Sequence, residues 1–424
     1  MIIGVLTALT LPFGLLYVIV ALFGLIRPSV PNPRAKKEHR FAALVPARNE
    51  EQVIEYLLDS LARQRYPKEK YDVYVIINNC TDNTQAIAER AGAKVLVCDV
   101  PISSKGDALR FVFSKLLAKG APQYDAFCIF DADNLVDSGF LRAANNAFSA
   151  GYRIAQGYRD SKNPKDNWVA GCSSVFFWFM SSLYNNCRRN VGMSAALNGT
   201  GIVLAADLIR EQGFGVETLT EDLEYTAMSV LRGEKVGWMR DAIIYDEQPT
   251  KLWDSYVQRR RWGAGSLQCG RKYLFALLKK AIKEKNFDAL DMGMLFTGVY
   301  VQALTCISSV LTALIFVRTV LESSGNRPLM LLAGGAGALL GSVIAGIAYV
   351  LVIGLVEGKL SKVSASTYLM MWVYMLVWIP ANLACLVMKP PKWKSIAHVS
   401  AVDIDSREQP KRKAPPFRSK QTGM

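Results

Sequence analysis

The stretch "IFDADN" (129–134) ends an apolar run with Asp131 and Asp133, one alanine apart. Two hard carboxylates so spaced can hold a divalent cation, Mg2+ or Mn2+, while leaving part of its shell free for water and phosphate oxygens. Taken alone, the same pair also describes two solvated acids in a turn. A second acidic group, Glu217, Glu221, Asp222 and Glu224, lies in and beside "LTEDLEYT" (219–226). Thr220 is placed to cap a helix there, and a helix start favours negative charge in its first turn. A carboxylate held at that position is also well placed to take a proton as a general base. Lys105, followed by a glycine that lets backbone approach closely, offers a point charge for a phosphate. In "WDSYVQRRRWGAG" (253–265), Gln258, Arg261 and Trp262 fall at i, i+3 and i+4, one face of a helix. That face joins an amide, a guanidinium suited to phosphate and an aromatic plate suited to a sugar ring. It equally fits an interfacial helix with snorkelling arginines and a belt tryptophan.

Such groups need a frame, and residues 41–130 supply one. Short apolar runs "FAALV" (41–45), "VYVII" (73–77), "KVLVC" (94–98) and "AFCIF" (126–130) alternate with helical patterns at 51–63, 83–91 and 105–118. Continuous apolar strands alternating with helices predict an α/β domain whose mostly parallel sheet is covered on both faces. Ligands of such sheets bind beyond the carboxyl ends of the strands. The loops there are "PARNEE" (46–51), "NNCTDNT" (78–84), "SSKGDALR" (103–110) and "DADN" (131–134), and all four are expected on one rim. Asp82 and Asn134 read as turn residues.

The chain ends differ in character. The first 26 residues carry no charge, which is long enough to cross a bilayer, and no basic segment precedes them as in a cleaved leader. Arg27, Arg34, Lys36, Lys37 and Arg40 follow at once, so the positive-inside bias puts the next segment in the cytoplasm. Three more apolar stretches, at about 292–317, 329–356 and 366–388, precede a basic tail. Four spans would leave that tail outside, against its Lys and Arg content. One late segment is therefore expected to be re-entrant or interfacial, and Pro380 marks the last as the candidate. Gly337 and Gly341 in "GGAGALLG" (334–341) suit close helix packing.

The net charge of +14 points to anionic lipid headgroups rather than nucleic acid, because lysines 279, 280, 283, 285, 389, 392 and 394 cluster beside the apolar stretches. Eight cysteines without a CxxC pair, and only two histidines, His39 and His398, argue against structural zinc or a disulfide framework. Reduced thiols are expected.

Taken in order, "PARNEE", "NNCTDNT", "SKG", "DAD", "TED" and "QRRRW", followed by membrane helices, resemble the inverting family 2 glycosyltransferases of GT-A (Rossmann-like) fold. The nearest resemblance is to the membrane-embedded processive synthases of cellulose, hyaluronan and mixed-linkage glucans, and it covers about residues 40–275. It implies that Asp131 and Asp133 hold Mg2+ or Mn2+ on a nucleotide-sugar diphosphate. It also implies that Asp222, with Glu221 beside it, deprotonates the acceptor hydroxyl. Donor binding falls by the same resemblance to Pro46, Ala47, Arg48, Asn49, Glu50, Asn78, Lys105, Gln258 and Arg261. Acceptor binding falls to Trp262 and to Asn198, Gly199 and Thr200 of "LNGTG" (197–201), a stretch that reads equally well as a plain turn. Where such enzymes place an aspartate facing the uracil ring, this chain has Asn78 and Asn79, whose amide carbonyl accepts the bond without charge. No gating-loop motif follows "QRRRW", and no segment resembles a cyclic-dinucleotide sensor.

The organisation implied is an N-terminal transmembrane helix (1–28), a cytoplasmic GT-A domain (29–250), interfacial amphipathic helices carrying QRRRW (251–288), a C-terminal transmembrane region (289–390) and a basic, largely disordered tail (391–424). The activity implied is that of a multi-pass bacterial plasma-membrane enzyme taking UDP-glucose as its UDP-sugar donor. It would polymerise a β-glucan, β-1,4 or mixed β-1,3/1,4, onto a growing polysaccharide acceptor and extrude it. Rival readings are transfer of one sugar to a lipid acceptor, a hyaluronan- or poly-N-acetylglucosamine-type synthase, and a catalytically silent scaffold of the same shape. Four spans are few for enclosing a polysaccharide, so a homo-oligomer, an accessory subunit or the lipid bilayer itself is expected to complete the path.

Overall fold

The computed structural model describes residues 2–390, so the basic tail expected over 391–424 lies outside the described residues. After α1 (Ile2–Ile26), an uncharged helix, the chain enters the expected alternation at β1 (Phe41–Ala47). It runs on through α2 (Ile54–Ala62), β2 (Tyr71–Ile77), α3 (Thr84–Arg90), β3 (Lys94–Val97), α4 (Lys105–Leu116) and β4 (Ala126–Ile129). β1 pairs in parallel with both β2 and β4, and β2 pairs in parallel with β3. These strands are nearly all apolar because both faces are covered. Ala42 and Leu44 point into one core, and Phe41, Ala43 and Val45 into the other.

The second half turns the chain back on the first. It contains β5 (Leu135–Val136), α5 (Phe140–Ser149), β6 (Ile154–Ser161), α6 (Trp168–Phe179), α7 (Cys187–Asn190), β7 (Ile202–Ala205), α8 (Ala206–Gln212), α9 (Glu221–Leu231) and β8 (Val236–Asp246). β7 inserts antiparallel between β4 and β6, and β6 pairs in parallel with β8, giving one sheet in the order β3-β2-β1-β4-β7-β6-β8-β5. Parallel pairings predominate in this mixed sheet, which has the expected GT-A architecture. One register matters for the site. Ile129 pairs with Ile202, so the start of β7 lies beside the end of β4 and the turn 197–201 is delivered to Asp131.

The segment expected to form several interfacial helices is dominated by one, α10 (Leu252–Glu284). Its internal glycines do not break it because they are contact points: Asn382 lies against Gly263, Thr220 against Gly265 and Phe296 against Gly270. Then come α11 (Phe287–Glu322), α12 (Arg327–Glu357), α13 (Ala365–Leu376) and α14 (Trp378–Val387). Among the described residues four helices are long and apolar enough to cross a membrane, with 365–387 taken as one. That last one breaks at Val377, because Pro380 has no N–H for the Leu376 carbonyl and its ring crowds that oxygen.

Both halves of the broken segment lie along the α/β domain. Thr367 sits against Gly171 of α6. The Tyr374 carbonyl accepts from Arg259 (2.6 Å), and the Lys389 carbonyl accepts from Arg260 (3.1 Å). The glycines of 334–341 meet the expected close packing at Gly334 but not at the Gly337/Gly341 pair. Gly337 and Gly341 have no described atom near them, since their face points away from α11 and α13. Close packing falls instead at Gly334, which receives Phe316, and at Gly346, where α12 meets Trp372.

Candidate active site

α4 starts at Lys105 because Ser104 caps it. The Ser104 hydroxyl accepts from the Asp107 N–H (3.1 Å), and the Asp107 carboxylate accepts from the Ser104 N–H (2.9 Å). Lys105 then reaches across the sheet end. Its ammonium donates to Asp131 Oδ1 (2.5 Å) and to the Gly199 carbonyl (2.6 Å), and it stands 3.9 Å from Glu221 Oε1. One cation thus gathers α4, the end of β4, the 197–201 turn and the start of α9. Gly199 and Gly201 have φ of 84° and 66°, which bends this turn around Thr200 in a way residues with a Cβ resist. Thr200, expected at the acceptor, is fully buried: its hydroxyl accepts from the Asp131 N–H (3.1 Å) and donates to Asn134 Oδ1. It shapes the site from behind instead.

Of the four acids near α9, two face this cation. Glu224 is fully buried as a staple: Oε2 accepts from the Glu217 and Thr218 N–H groups (2.6 Å each), and Oε1 from Lys272 (2.9 Å) and Tyr273 (2.8 Å). Glu217 is exposed and pairs with Lys272. Thr220 occupies the N-cap, but its side chain makes no capping bond and packs on Gly265 and Cys269 of α10. Glu221 and Asp222 remain, and Asp222 Oδ2 faces Gly199, where a Cβ would stand 3.7 Å away.

The electrostatics separate these carboxylates. Burial pushes Glu221 up to about 7, with Lys105 pulling it down and Asp222 adding to the rise. Burial also raises Asp222, partly offset by the Leu223 N–H, Lys105 and Arg261. At Asp131 burial works upward too, but Lys105, Arg159 and Arg261 outweigh it and hold the carboxyl below its usual range. One acid is kept ionised and two are given raised proton affinity, which is the division of labour that metal binding and general-base catalysis require.

The first two loops are fastened to each other. Asn49 has φ of 58°, and its side-chain oxygen accepts from the Thr81 N–H (2.8 Å). The Glu50 N–H donates to Thr84 (2.8 Å), the Glu51 N–H to Asp82 (3.0 Å), and the Asn78 N–H to the Ala47 carbonyl (3.0 Å). Asp82 is the turn residue expected, also accepting from the Thr84 N–H. Ala47 is buried, whereas Pro46 and Arg48 are half-buried on the rim. Asn78 Oδ1 is buried without a hydrogen-bond partner among the described residues, an open acceptor on the rim.

Gln258, Arg261 and Trp262 are half-buried on α10. Arg261 is near enough to Asp131, Glu221 and Asp222 to lower all three. The Trp262 indole stacks on Phe176 (6.3 Å between centroids, 18°), meets Phe177 edge-on (5.8 Å) and neighbours Trp378 of α14 (6.1 Å). An aromatic wall therefore leads from the reaction site to the broken membrane segment.

A layer of polar groups behind the carboxylates was not anticipated. Asn134, read as turn chemistry, is fully buried and donates to Asp133 Oδ1 (3.2 Å) and Asp246 Oδ1 (2.9 Å). Arg159 Nε donates to Asp246 Oδ2 (2.9 Å) and Nη1 to the Asn198 carbonyl (2.9 Å), with the guanidinium 3.9 Å from the Phe177 ring centroid. The available signal was Arg159 in "IAQGYRDS" and Asp246 in "VGWMRDAIIYD", charges in two largely apolar strands, since buried charges persist only when paired.

Asp131 and Asp133 suit a divalent cation with oxygen ligands. A positive charge, the Lys105 ammonium, already sits at Asp131, and Asn134 orients Asp133. Among the described residues no group of three or more His, Cys, Asp or Glu side chains gathers. Water and diphosphate oxygens would complete the shell, the arrangement Mg2+ prefers.

Residues 39–265 match the sequence model of the family described as "Glycosyltransferase like family 2". The chain is 29% identical over 288 residues to a beta-monoglucosyldiacylglycerol synthase of Nostoc sp., a match covering 64% of this chain and 58% of that protein. It is 26% identical over 234 residues to the protein of the same name from Synechocystis sp., covering 53% and 47%. It thus spans about half the length of these curated relatives. Among solved structures, the mannosyltransferase PcManGT from Pyrobaculum calidifontis, in complex with GDP-Man and Mn2+, superposes with a TM-score of 0.58 at 18% identity, covering 90% of this chain and 98% of that one. That likeness is one of fold.

Proposed function

The chain belongs to the glycosyltransferase-like family 2, and from that premise we propose that it transfers a single sugar from a nucleotide-sugar donor to a lipid acceptor at the membrane face. The observation that carries the lipid acceptor is the aromatic wall of Phe176, Phe177, Trp262 and Trp378, which joins the site to α14. An acceptor with an apolar body can follow that wall out of the bilayer and present its hydroxyl at Asp222. The relatives named for a glucosyl lipid product support the same reading and favour glucose as the sugar.

The expected processive β-glucan synthase is set aside in favour of this alternative. A chain that extrudes a polysaccharide needs helices closed around a polar path. Here the most apolar windows of α1, α11 and α12 are only 11%, 6% and 22% buried, so these helices offer mainly lipid-facing surface.

In the proposed mechanism Asp222 takes the proton of the acceptor hydroxyl, and that oxygen bonds to the anomeric carbon as the carbon–oxygen bond to the diphosphate breaks. Attack opposite the leaving group inverts the configuration. Lys105 and Arg261 receive the charge that develops on the diphosphate. Held by Asp131 and Asp133, a divalent cation would neutralise part of the same charge. Asn78 Oδ1 is the proposed acceptor for an N–H of the nucleotide base. Trp262 packs beside the acceptor, while Asn198 and Gly199 form the floor under it.

The test is acceptor dependence. Full-length protein in detergent micelles is given UDP-glucose, UDP-N-acetylglucosamine, UDP-glucuronate or GDP-mannose with Mg2+, with and without added diacylglycerol, and nucleotide release is measured. Release that rises with diacylglycerol for one donor supports the proposal. Release indifferent to lipid with every donor contradicts it.

A further inference from the structure

A polar cavity of about 240 Å3 lies where the last turn of α1, the π-helical stretch Met180–Asn186 that continues α6, β8 and the last turn of α12 meet. It is distinct from the reaction site. Along β6, the Tyr158 hydroxyl goes to Glu357 in the cavity wall, whereas the next residue, Arg159, goes to Asp246 and Asn198. Its charges do not cancel. Glu357 is engaged by Tyr158 and stands 3.9 Å from Lys359, which itself pairs with Asp160 (2.6 Å). Arg27 and Arg240, both exposed at the cavity, have no carboxylate partner among the described residues. Trp238 lines the same wall, and its buried indole N–H also lacks an acceptor among the described residues.

The place of the cavity says which anion it meets. Arg27 is the first charge after the apolar run of α1, and Val356 and Glu357 close the apolar run of α12. Both helices bring the cavity to the level of lipid headgroups. We propose that this cavity binds the phosphate of an anionic phospholipid headgroup, gripped by Arg27 and Arg240. Two guanidiniums lining one cavity can form charge-assisted hydrogen bonds to one phosphate, and a headgroup that brings no cation of its own leaves them its full negative charge. Such a bound lipid seats the domain against the membrane and is independent of whatever acceptor receives the sugar.

The test uses the full-length protein in a neutral detergent, titrated by calorimetry with water-soluble dihexanoyl-phosphatidylglycerol. Wild type is expected to show saturable binding, weakened about tenfold or more in the Arg27→Gln/Arg240→Gln double variant. A control double variant, Lys68→Gln/Lys119→Gln, on the exposed surface of the α/β domain and outside the cavity lining, is expected to bind as wild type does. Both arginines are exposed, so these variants fold. Absence of saturable binding in wild type overturns the proposal, as does unchanged binding in the arginine variant or an equal loss in the lysine control. Inorganic phosphate displacing the lipid at matching concentration also overturns it, by making the site one for the free ion.

Discussion

The ammonium of Lys105 stands 2.5 Å from Asp131 Oδ1 and 3.9 Å from Glu221 Oε1, bridging the carboxylate proposed for the metal and the pair proposed for proton transfer. Lys105→Ala removes that bridge and leaves three acids to repel one another around the diphosphate. The expected result is a fall of about 100-fold in kcat/KM for nucleotide release, with the protein still folded by circular dichroism. A kcat/KM equal to wild type would show that the ammonium has no part in the reaction.

Asp133→Ala tests the cation grip. Asn134 turns the Asp133 carboxylate toward the site, so its loss weakens the metal directly. Donor binding, followed by calorimetry at saturating Mg2+, is expected to drop by about tenfold or more, and the difference between chelated and Mg2+-loaded protein to shrink. A variant that retains the full Mg2+ effect rules the residue out as a ligand.

Glu221 carries a pH signature in stability. Its carboxyl is pushed from the usual 4.5 to about 7 in the folded protein, so between those values the folded state keeps a proton that the unfolded state has released. Stability contributed by that proton is therefore full below about 4.5 and lost as pH rises to about 7. Thermal denaturation of wild type should lose midpoint across this window relative to Glu221→Gln. Parallel curves for the two proteins would remove Glu221 as the raised group.

The broken segment 365–387 bears on topology. Thr367 at its start touches α6 of the α/β domain and Lys389 past its end touches α10, so the segment is expected to return to the side it left. If α1, α11 and α12 cross, Lys389 is expected on the same side as the proposed reaction site. In a variant lacking native cysteines, a cysteine at Ser324 should react with an impermeant maleimide added to intact cells, and one at Lys389 only after permeabilisation. Labelling of position 389 in intact cells is incompatible with this arrangement.

Much of this frame was legible in residue order. Strands β1 to β4 announced themselves because burial on both faces forces continuous apolar runs, and the loops after them could be named before any contact was known. Asp131, Lys105, Glu221 and Asp222, which the structure brings together, stood out because charged residues at strand ends and helix starts have few structural reasons to be there. Arg159, Asp246 and Asn134 were missed for the opposite reason. They meet only because β6, β8 and the end of β4 converge in space, and each sits far in sequence from its partners. Thr200 was misread because whether a turn side chain faces in or out depends on the φ of Gly199 and Gly201, which composition does not reveal. The processive reading, which the relatives favour less than its lipid-acceptor alternative, leaned on apolar stretches that can be counted in a sequence, whereas whether they close around a path cannot.

In the proposed reaction one sugar goes to a lipid, with Asp222 as the base. The most direct measurement incubates membranes containing the full chain with radiolabelled UDP-glucose and Mg2+, then partitions the products between organic solvent and water and sizes them. The account predicts label in a glycolipid of a single hexose in the organic phase, reduced about 100-fold or more in Asp222→Asn while donor binding persists. Label in a long, water-borne or insoluble polymer, or transfer undiminished in Asp222→Asn, would contradict it.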